Sequence, residues 1–175
     1  MVPMVASAGE MAAVRAVLDK LRGDKAVALG AMVETPAAAI GADLIAAEAD
    51  FLSIGSNDLT QYALAADRGN AAVAAMLDGL HPAVLRLIAE TCTRAGSTPV
   101  SVCGGLAADP MAAPILIGLG VRTLSVPPAQ LAVTKALVTT LTLTAATDHA
   151  RQALACASAA EVRALARRFA EELSA

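Results

Sequence analysis

The strongest constraint on this chain is an alternation. Short, mainly apolar runs recur between longer stretches whose apolar residues repeat every three or four positions. The short runs are Met1–Val5, Val27–Val33, Phe51–Ile54, Val100–Cys103 and Thr123–Val126. Strands that are apolar on both faces belong to parallel sheets covered on both sides, so the pattern predicts an α/β fold with about five parallel strands. Between them, Ala8–Leu21 carries Met11, Val14, Val17, Leu18 and Leu21 on one helical face. Pro36 suits the first turn of an alanine-rich helix over Ala37–Ala49. His81-Pro82 opens a helix over Ala83–Arg94 that stops at Gly96, and Asp109-Pro110 caps another over Met111–Leu119, closed by Gly120. Pro127 and Pro128 introduce a last apolar region, Leu131–Leu143. A polar, alanine-rich connector and a final helix, Ala159–Leu173, follow. Residues 1–145 read as the α/β unit and 146–175 as a terminal connector and helix.

Composition narrows the function. With 57% hydrophobic and 17% charged residues, the chain is far from disordered. About a quarter of its residues are alanine, which fits helices packed closely on strands. Two percent aromatic residues and a net charge of −3 exclude a stacking platform or basic footprint for nucleic acid. No apolar run reaches the ~18 residues of a membrane span, so no membrane partner is expected. Three widely spaced cysteines without a C-x-x-C pair point to reduced thiols and a cytoplasmic setting.

Polar residues gather just after strand ends, at Glu34-Thr35, Asn57-Asp58 and Cys103-Gly104. In a βα barrel or a doubly wound sheet, that rim binds ligands. Glu34 and Asp58 follow successive strands, and paired carboxylates there suit a hard divalent cation; each alone would serve equally as a helix cap. Gly55-Ser56-Asn57-Asp58 reads as a polar turn whose successive N–H groups can cradle an anion. Arg68 can return over the strand end to hold a phosphate, or stay a loop charge paired with Asp67. Cys103 is either a small core residue or an accessible thiol beside two glycines. Cys92 and Cys156 read as filler, His81 as a helix-entry residue, His149 as exposed. Arg163, Arg167 and Arg168 read as the solvated face of the last helix.

Four segments in order resemble the phosphoenolpyruvate-binding barrel of the Enzyme I family of the bacterial sugar phosphotransferase system. They are Met32-Val-Glu-Thr-Pro-Ala37, Phe51-Leu-Ser-Ile-Gly-Ser-Asn-Asp-Leu-Thr-Gln-Tyr62, Ala66-Asp-Arg-Gly-Asn70 and Val102-Cys-Gly104. The resemblance runs from Met1 to about Leu137. It implies a phosphoenolpyruvate–protein phosphotransferase, a transferase of the kinase type, on part of a TIM (β/α)8 barrel. By the resemblance, Glu34 and Asp58 are Mg²⁺ ligands, and Asn57, with the backbone of Gly55 and Ser56, holds the substrate phosphate. Arg68 is a phosphate-binding arginine. Cys103 protonates C3 of the enolate as pyruvate forms. The phosphoryl group then passes to a histidine of an N-terminal domain and on to a histidine phosphocarrier protein.

Three departures bear on this. The family's barrel has eight strands, whereas the five here match its fourth to eighth; two further substrate-binding arginines are absent. The phosphohistidine motif is absent, so the chain alone is expected not to complete phosphotransfer. Gly105 stands where most of the family has Glu, as in the multidomain phosphoryl-transfer subfamily. Two other readings remain open at this stage. One is an Mg²⁺-dependent lyase or aldolase of the wider phosphoenolpyruvate/pyruvate superfamily. The other is a non-enzymatic remnant whose open sheet edges pair with a partner, a homodimer included.

Overall fold

The computed structural model describes residues 1–174, and its central feature is an open sheet of four parallel strands. β1 (Gly30–Val33), β2 (Phe51–Gly55), β3 (Val100–Cys103) and β4 (Thr123–Leu124) lie side by side in chain order. Each neighbour is reached through intervening helix, as parallel pairing requires. The arrangement is that of a partial βα barrel whose sheet does not close.

The expected fifth strand, Met1–Val5, contributes only one bridge, Val2 to Ala31. Val2 exchanges hydrogen bonds with Gly30 and Met32 of β1, both 2.8 Å. Pro3 has no N–H to donate, and Met4 turns into the left-handed region at φ 54°. β1 is likewise shorter than the apolar run Val27–Val33, because Val27 is exposed and pairing begins at Gly30. Asp50 prepares that start by accepting the Leu29 N–H at 2.6 Å, and this bond, with Arg15 alongside, holds its carboxyl below the usual range. Gly30 is required: a Cβ there would sit 2.2 Å from the Phe51 ring.

The helices are α1 (Ala8–Leu21), α2 (Pro36–Ile40), α3 (Ala42–Ala46), α4 (Ser56–Ala63), α5 (Ala71–Ala74) and α6 (Pro82–Arg94). After them come α7 (Ala112–Gly118), α8 (Pro128–Thr140), α9 (Leu143–Ala155) and α10 (Ala159–Ser174). The helix expected over Ala37–Ala49 is two short ones, broken at Gly41. Thr35 caps the first, its hydroxyl accepting the Ala38 N–H at 3.1 Å. His81 opens α6 as expected, its Nδ1 accepting the Ala83 N–H at 3.2 Å.

The core lies between sheet and helices. Ala31, Val33, Leu52, Ile54 and Val102 meet Met11, Ile45, Leu59, Leu85, Ile88, Ile115 and Leu116, all nearly inaccessible. Fully burying side chains of this size stabilises by about 1.5–3 kcal/mol each before the entropy of ordering them. α8, like the short α5, has no buried residue, and it lies across a groove from the two-residue edge strand β4. The groove, about 500 Å³, is apolar and lined in part by Leu124, Val126, Leu131 and Val138. No single helix is long and apolar enough to cross a membrane among the described residues.

The polar connector after residue 143 is in fact helix. α9 packs so closely on α7 that a Cβ on Gly118 would fall 2.0 Å from the Ala146 carbonyl oxygen. His149 is therefore buried, at 3% exposure, and stacks on Phe169 of α10 with ring centroids 4.1 Å apart. Its Nε2 has no hydrogen-bond partner, and burial lowers its pKa below the ordinary 6.5. Asp148, Gln152, Arg168 and Glu172 line the adjoining cavity. A histidine with a depressed folded pKa contributes stability above the unfolded value that is lost as pH falls through the folded one. The thermal midpoint should accordingly drop between about pH 7 and pH 5, and His149→Phe should reduce that dependence; calorimetry of both proteins checks it.

Candidate functional site

β2 runs straight into α4, so the expected polar turn Gly55–Asp58 is the end of a strand and the first turn of a helix. Gly55 closes β2, and Ser56, Asn57 and Asp58 begin α4. The unpaired N–H groups of a first helical turn attract anions, so the local chemistry survives the change of shape. β3 lies beside β2 in a register that sets Cys103 opposite Gly55. The Ser56 hydroxyl closes the gap: it donates to the Cys103 carbonyl at 2.7 Å and accepts the Leu106 N–H at 3.3 Å. Asn57 Oδ1 accepts the Gly105 N–H at 3.0 Å, which leaves the two amide N–H donors of this exposed side chain for a ligand oxygen.

This approach demands glycine at 104. Its φ is +86°, and a Cβ would lie 2.6 Å from Ser56 Oγ and 3.1 Å from Asn57 Oδ1. Cys103 itself is partly exposed, with its thiol 3.5 Å from the Ile54 carbonyl. Cys92, by contrast, is pushed up to about 11 by burial, which makes it a poor nucleophile.

Glu34, just past β1, is 4% exposed. Its Oε1 accepts the Met4 N–H at 2.7 Å, while a Cβ on Gly55 would stand 2.7 Å from Oε2. The carboxylate thus occupies space that only a glycine at the end of β2 leaves open. Asp58 is part-exposed and forms an ion pair with Arg68, Nη2 to Oδ1 3.2 Å. Arg68 does therefore return to the strand ends, and it pairs with Asp58 rather than Asp67. Asp67 is occupied by its own turn, accepting the Gly69 N–H at 2.8 Å. No group of three or more His, Cys, Asp or Glu is arranged to hold a metal among the described residues. Two carboxylates at one rim still suit a cation of the Mg²⁺ type, which takes one or two carboxylates and fills its remaining positions with water and substrate phosphate.

Arg163, expected on the solvated face of the last helix, is instead part-buried and paired beside this site. A cavity of about 300 Å³ beside Ser56, Asn57 and Arg68 is walled further on by Asp78, Asp109 and Arg163. Arg163 of α10 donates to Asp78 through Nε at 2.6 Å and Nη2 at 2.8 Å, and to Asp109 through Nη1 at 3.3 Å. Burial would raise the Asp78 pKa, but the bonds from Arg163 and from the Leu80 N–H outweigh it and hold it below 3.8. The Asp78 carboxylate is therefore charged at neutral pH, as its pairing with Arg163 requires. No local signal marks Arg163, because its partners lie 85 and 54 residues away in the chain.

Fold and rim together define part of a βα barrel with an amide, an arginine, two carboxylates and a thiol collected at its strand ends. Sequence comparison says which barrel. The family model for the phosphoenolpyruvate-binding domain of phosphoenolpyruvate-utilising enzymes matches residues 1–143, and the chain belongs to that family. It is 46% identical over 170 residues, 94% of its length, to a multiphosphoryl transfer protein of Xanthomonas campestris pv. campestris. It is 47% identical over 143 residues to a phosphoenolpyruvate-protein phosphotransferase of Cupriavidus necator, covering 75% of this chain. A Mycoplasma pneumoniae protein of the latter name is 36% identical over 175 residues, covering 97% of it. The chain spans only 20%, 24% and 31% of those three proteins.

Ser56 is 1% exposed, and its removal would strand the Leu106 N–H and take a donor from the Cys103 carbonyl. Ser56→Ala should destabilise the chain by about 1–3 kcal/mol in urea unfolding. An unchanged midpoint would mean that the hydroxyl does not hold the two strand ends together.

Proposed function

We propose that the chain is the C-terminal part of a phosphoenolpyruvate–protein phosphotransferase of the Enzyme I type. In this reading residues 1–145 supply the barrel portion that binds phosphoenolpyruvate and Mg²⁺. Glu34 and Asp58 hold Mg²⁺, which when bound offsets negative charge on the phosphate and the developing enolate. The Asn57 amide, the backbone of Gly55 and Ser56, and the Arg68 guanidinium hold the phosphate. The P–O bond to the enol oxygen breaks as the phosphoryl group moves to a histidine nitrogen. Cys103 then delivers its thiol proton to C3, giving pyruvate, and the thiolate is reprotonated from water.

The observation that carries this reading is the cross-link at the strand ends. Ser56 bonds to the carbonyl of Cys103 while the neighbouring Asn57 bonds to Gly105, so a phosphate-binding amide and a candidate acid are fixed beside one another. In this reading neither histidine of the chain is the receiver: His81 opens α6 with its Nδ1 on the Ala83 N–H, and His149 is buried against Phe169. The acceptor histidine is assigned to another domain. A histidine phosphocarrier protein takes the group onward, in sugar uptake and in the cytoplasm, where the free thiols of Cys92, Cys103 and Cys156 stay reduced.

Amide-resolved NMR titration of phosphoenolpyruvate tests the site. Binding should be weak, on the order of millimolar, and should require Mg²⁺. Arg68→Met should weaken it about tenfold or more, and Glu34→Gln should abolish the Mg²⁺-dependent binding. Shifts that ignore both substitutions would contradict the proposal. Incubation with labelled phosphoenolpyruvate should leave the chain unphosphorylated, and a stable phosphohistidine would overturn that part.

A further inference from the structure

We infer that Arg163, on the terminal helix, is a positioning residue for the strand-end site. The argument begins with what it joins. Its guanidinium fork grips Asp78 with two bonds, 2.6 and 2.8 Å, and reaches Asp109 with a third, 3.3 Å. Such forked, charge-assisted bonds are directional as well as strong. Neither aspartate belongs to the neighbouring helix α9, so the contact does more than fasten α10 to its nearest support.

Both aspartates sit in the walls of the site. Asp109 closes the 3₁₀ turn Gly105–Ala108, which follows directly from Cys103 and Gly104. Its other oxygen accepts the Met111 N–H at 2.9 Å, so Asp109 is fixed to α7 while Arg163 holds its far side. The same turn supplies the Gly105 N–H to Asn57 and the Leu106 N–H to Ser56. Asp78 leads into α6, fixed by the Leu80 N–H at 2.9 Å. Next to it, Gly79 lies against Leu106 of the 3₁₀ turn, where a Cβ would come within 3.0 Å of Leu106 Cδ1. Arg163 therefore clamps two abutting segments from outside, and one of them carries the backbone that orients Asn57 and follows Cys103. Arg163 also faces the same 300 Å³ cavity as Asn57 and Arg68.

The role given to Arg163 rests on the reading of Asn57 and Cys103 above, but its geometry can be measured without substrate. Loss of the clamp frees the Gly104–Gly105 segment and exposes the Cys103 thiol. The three cysteines report separately: Cys103 on the site, Cys92 in α6 on global opening, and Cys156 between α9 and α10 on detachment of the last helix. Peptide-resolved alkylation by iodoacetamide should show Cys103 reacting about threefold faster or more in Arg163→Met, with Cys92 and Cys156 unchanged. Asp109→Asn, which weakens only the arm to the 3₁₀ turn, should reproduce the effect. Arg163→Lys, a point charge without the fork, should restore part of the native rate. Amide exchange at Gly105 and Leu106 should quicken in step with the thiol.

An unchanged Cys103 rate in both Arg163→Met and Asp109→Asn, with native circular dichroism, would overturn the inference. So would a parallel rise at all three cysteines, which would make Arg163 a general fastener of α10. Phosphoenolpyruvate with Mg²⁺ should slow alkylation of Cys103 in the native chain more than in Arg163→Met. No protection in the native chain, with the clamp's effect on alkylation intact, would overturn the catalytic reading on which the role rests and leave the geometry standing.

Discussion

The site depends on one close approach: the first turn of α4 against the end of β3, made through the Ser56 hydroxyl. That hydroxyl bonds both the carbonyl of Cys103 and the N–H of Leu106, and it is shielded from water. The approach exists because residue 104 has no side chain and adopts φ +86°. With the register that sets Cys103 opposite Gly55, it brings Asn57 to the Gly105 N–H at the start of the 3₁₀ turn that ends at Asp109. Arg163 holds the far side of that turn. A strand end, a helix start and a turn are fixed to one another by a few short polar bonds on a rigid parallel sheet.

Small residues make this compactness available elsewhere too. Gly30 gives the Phe51 ring its place, Gly55 leaves room for the Glu34 carboxylate, and Gly118 lets α7 meet α9 backbone to backbone. Ala31, Ala38, Ala39, Ala42 and Ala112 are all fully buried. The alanine-rich composition is therefore a packing solution, in which little side-chain entropy is lost when helices settle close to strands. It leaves few long side chains to spare, and the carboxylates and arginines near the strand ends stand out against that background.

Much of the fold was legible because it rests on local pattern. The apolar runs marked β2 and β3, Pro36 marked the entry to α2, and His81-Pro82 marked α6. The ends of elements were harder, since Pro3 and Met4 stop the first run from pairing beyond Val2, and Gly41 splits one expected helix into two. Of the site, Glu34, Gly55, Ser56, Asn57, Asp58, Arg68 and Cys103 stood out in the sequence, and the structure groups Ser56, Asn57 and Cys103 through hydrogen bonds and Asp58 with Arg68. What could not be read was anything set by distant pairing. His149 sits in a polar stretch yet is buried, because its helix packs against α7 and its ring against Phe169. Arg163 resembles its neighbours Arg167 and Arg168 in every local respect, and only its distant partners Asp78 and Asp109 distinguish it.

The central proposal is that Glu34, just past β1, and Asp58, in the first turn of α4, form one cation-dependent phosphate site. Its most direct test is paramagnetic broadening of amide resonances by Mn²⁺, a hard cation with the same taste for oxygen ligands as Mg²⁺, in the presence of phosphoenolpyruvate. The account predicts broadening centred on Glu34 and on Gly55 through Asp58, and its loss in Glu34→Gln. Broadening centred instead on Asp148 and Glu172, beside the cavity at His149, or spread evenly over the surface carboxylates, would contradict it.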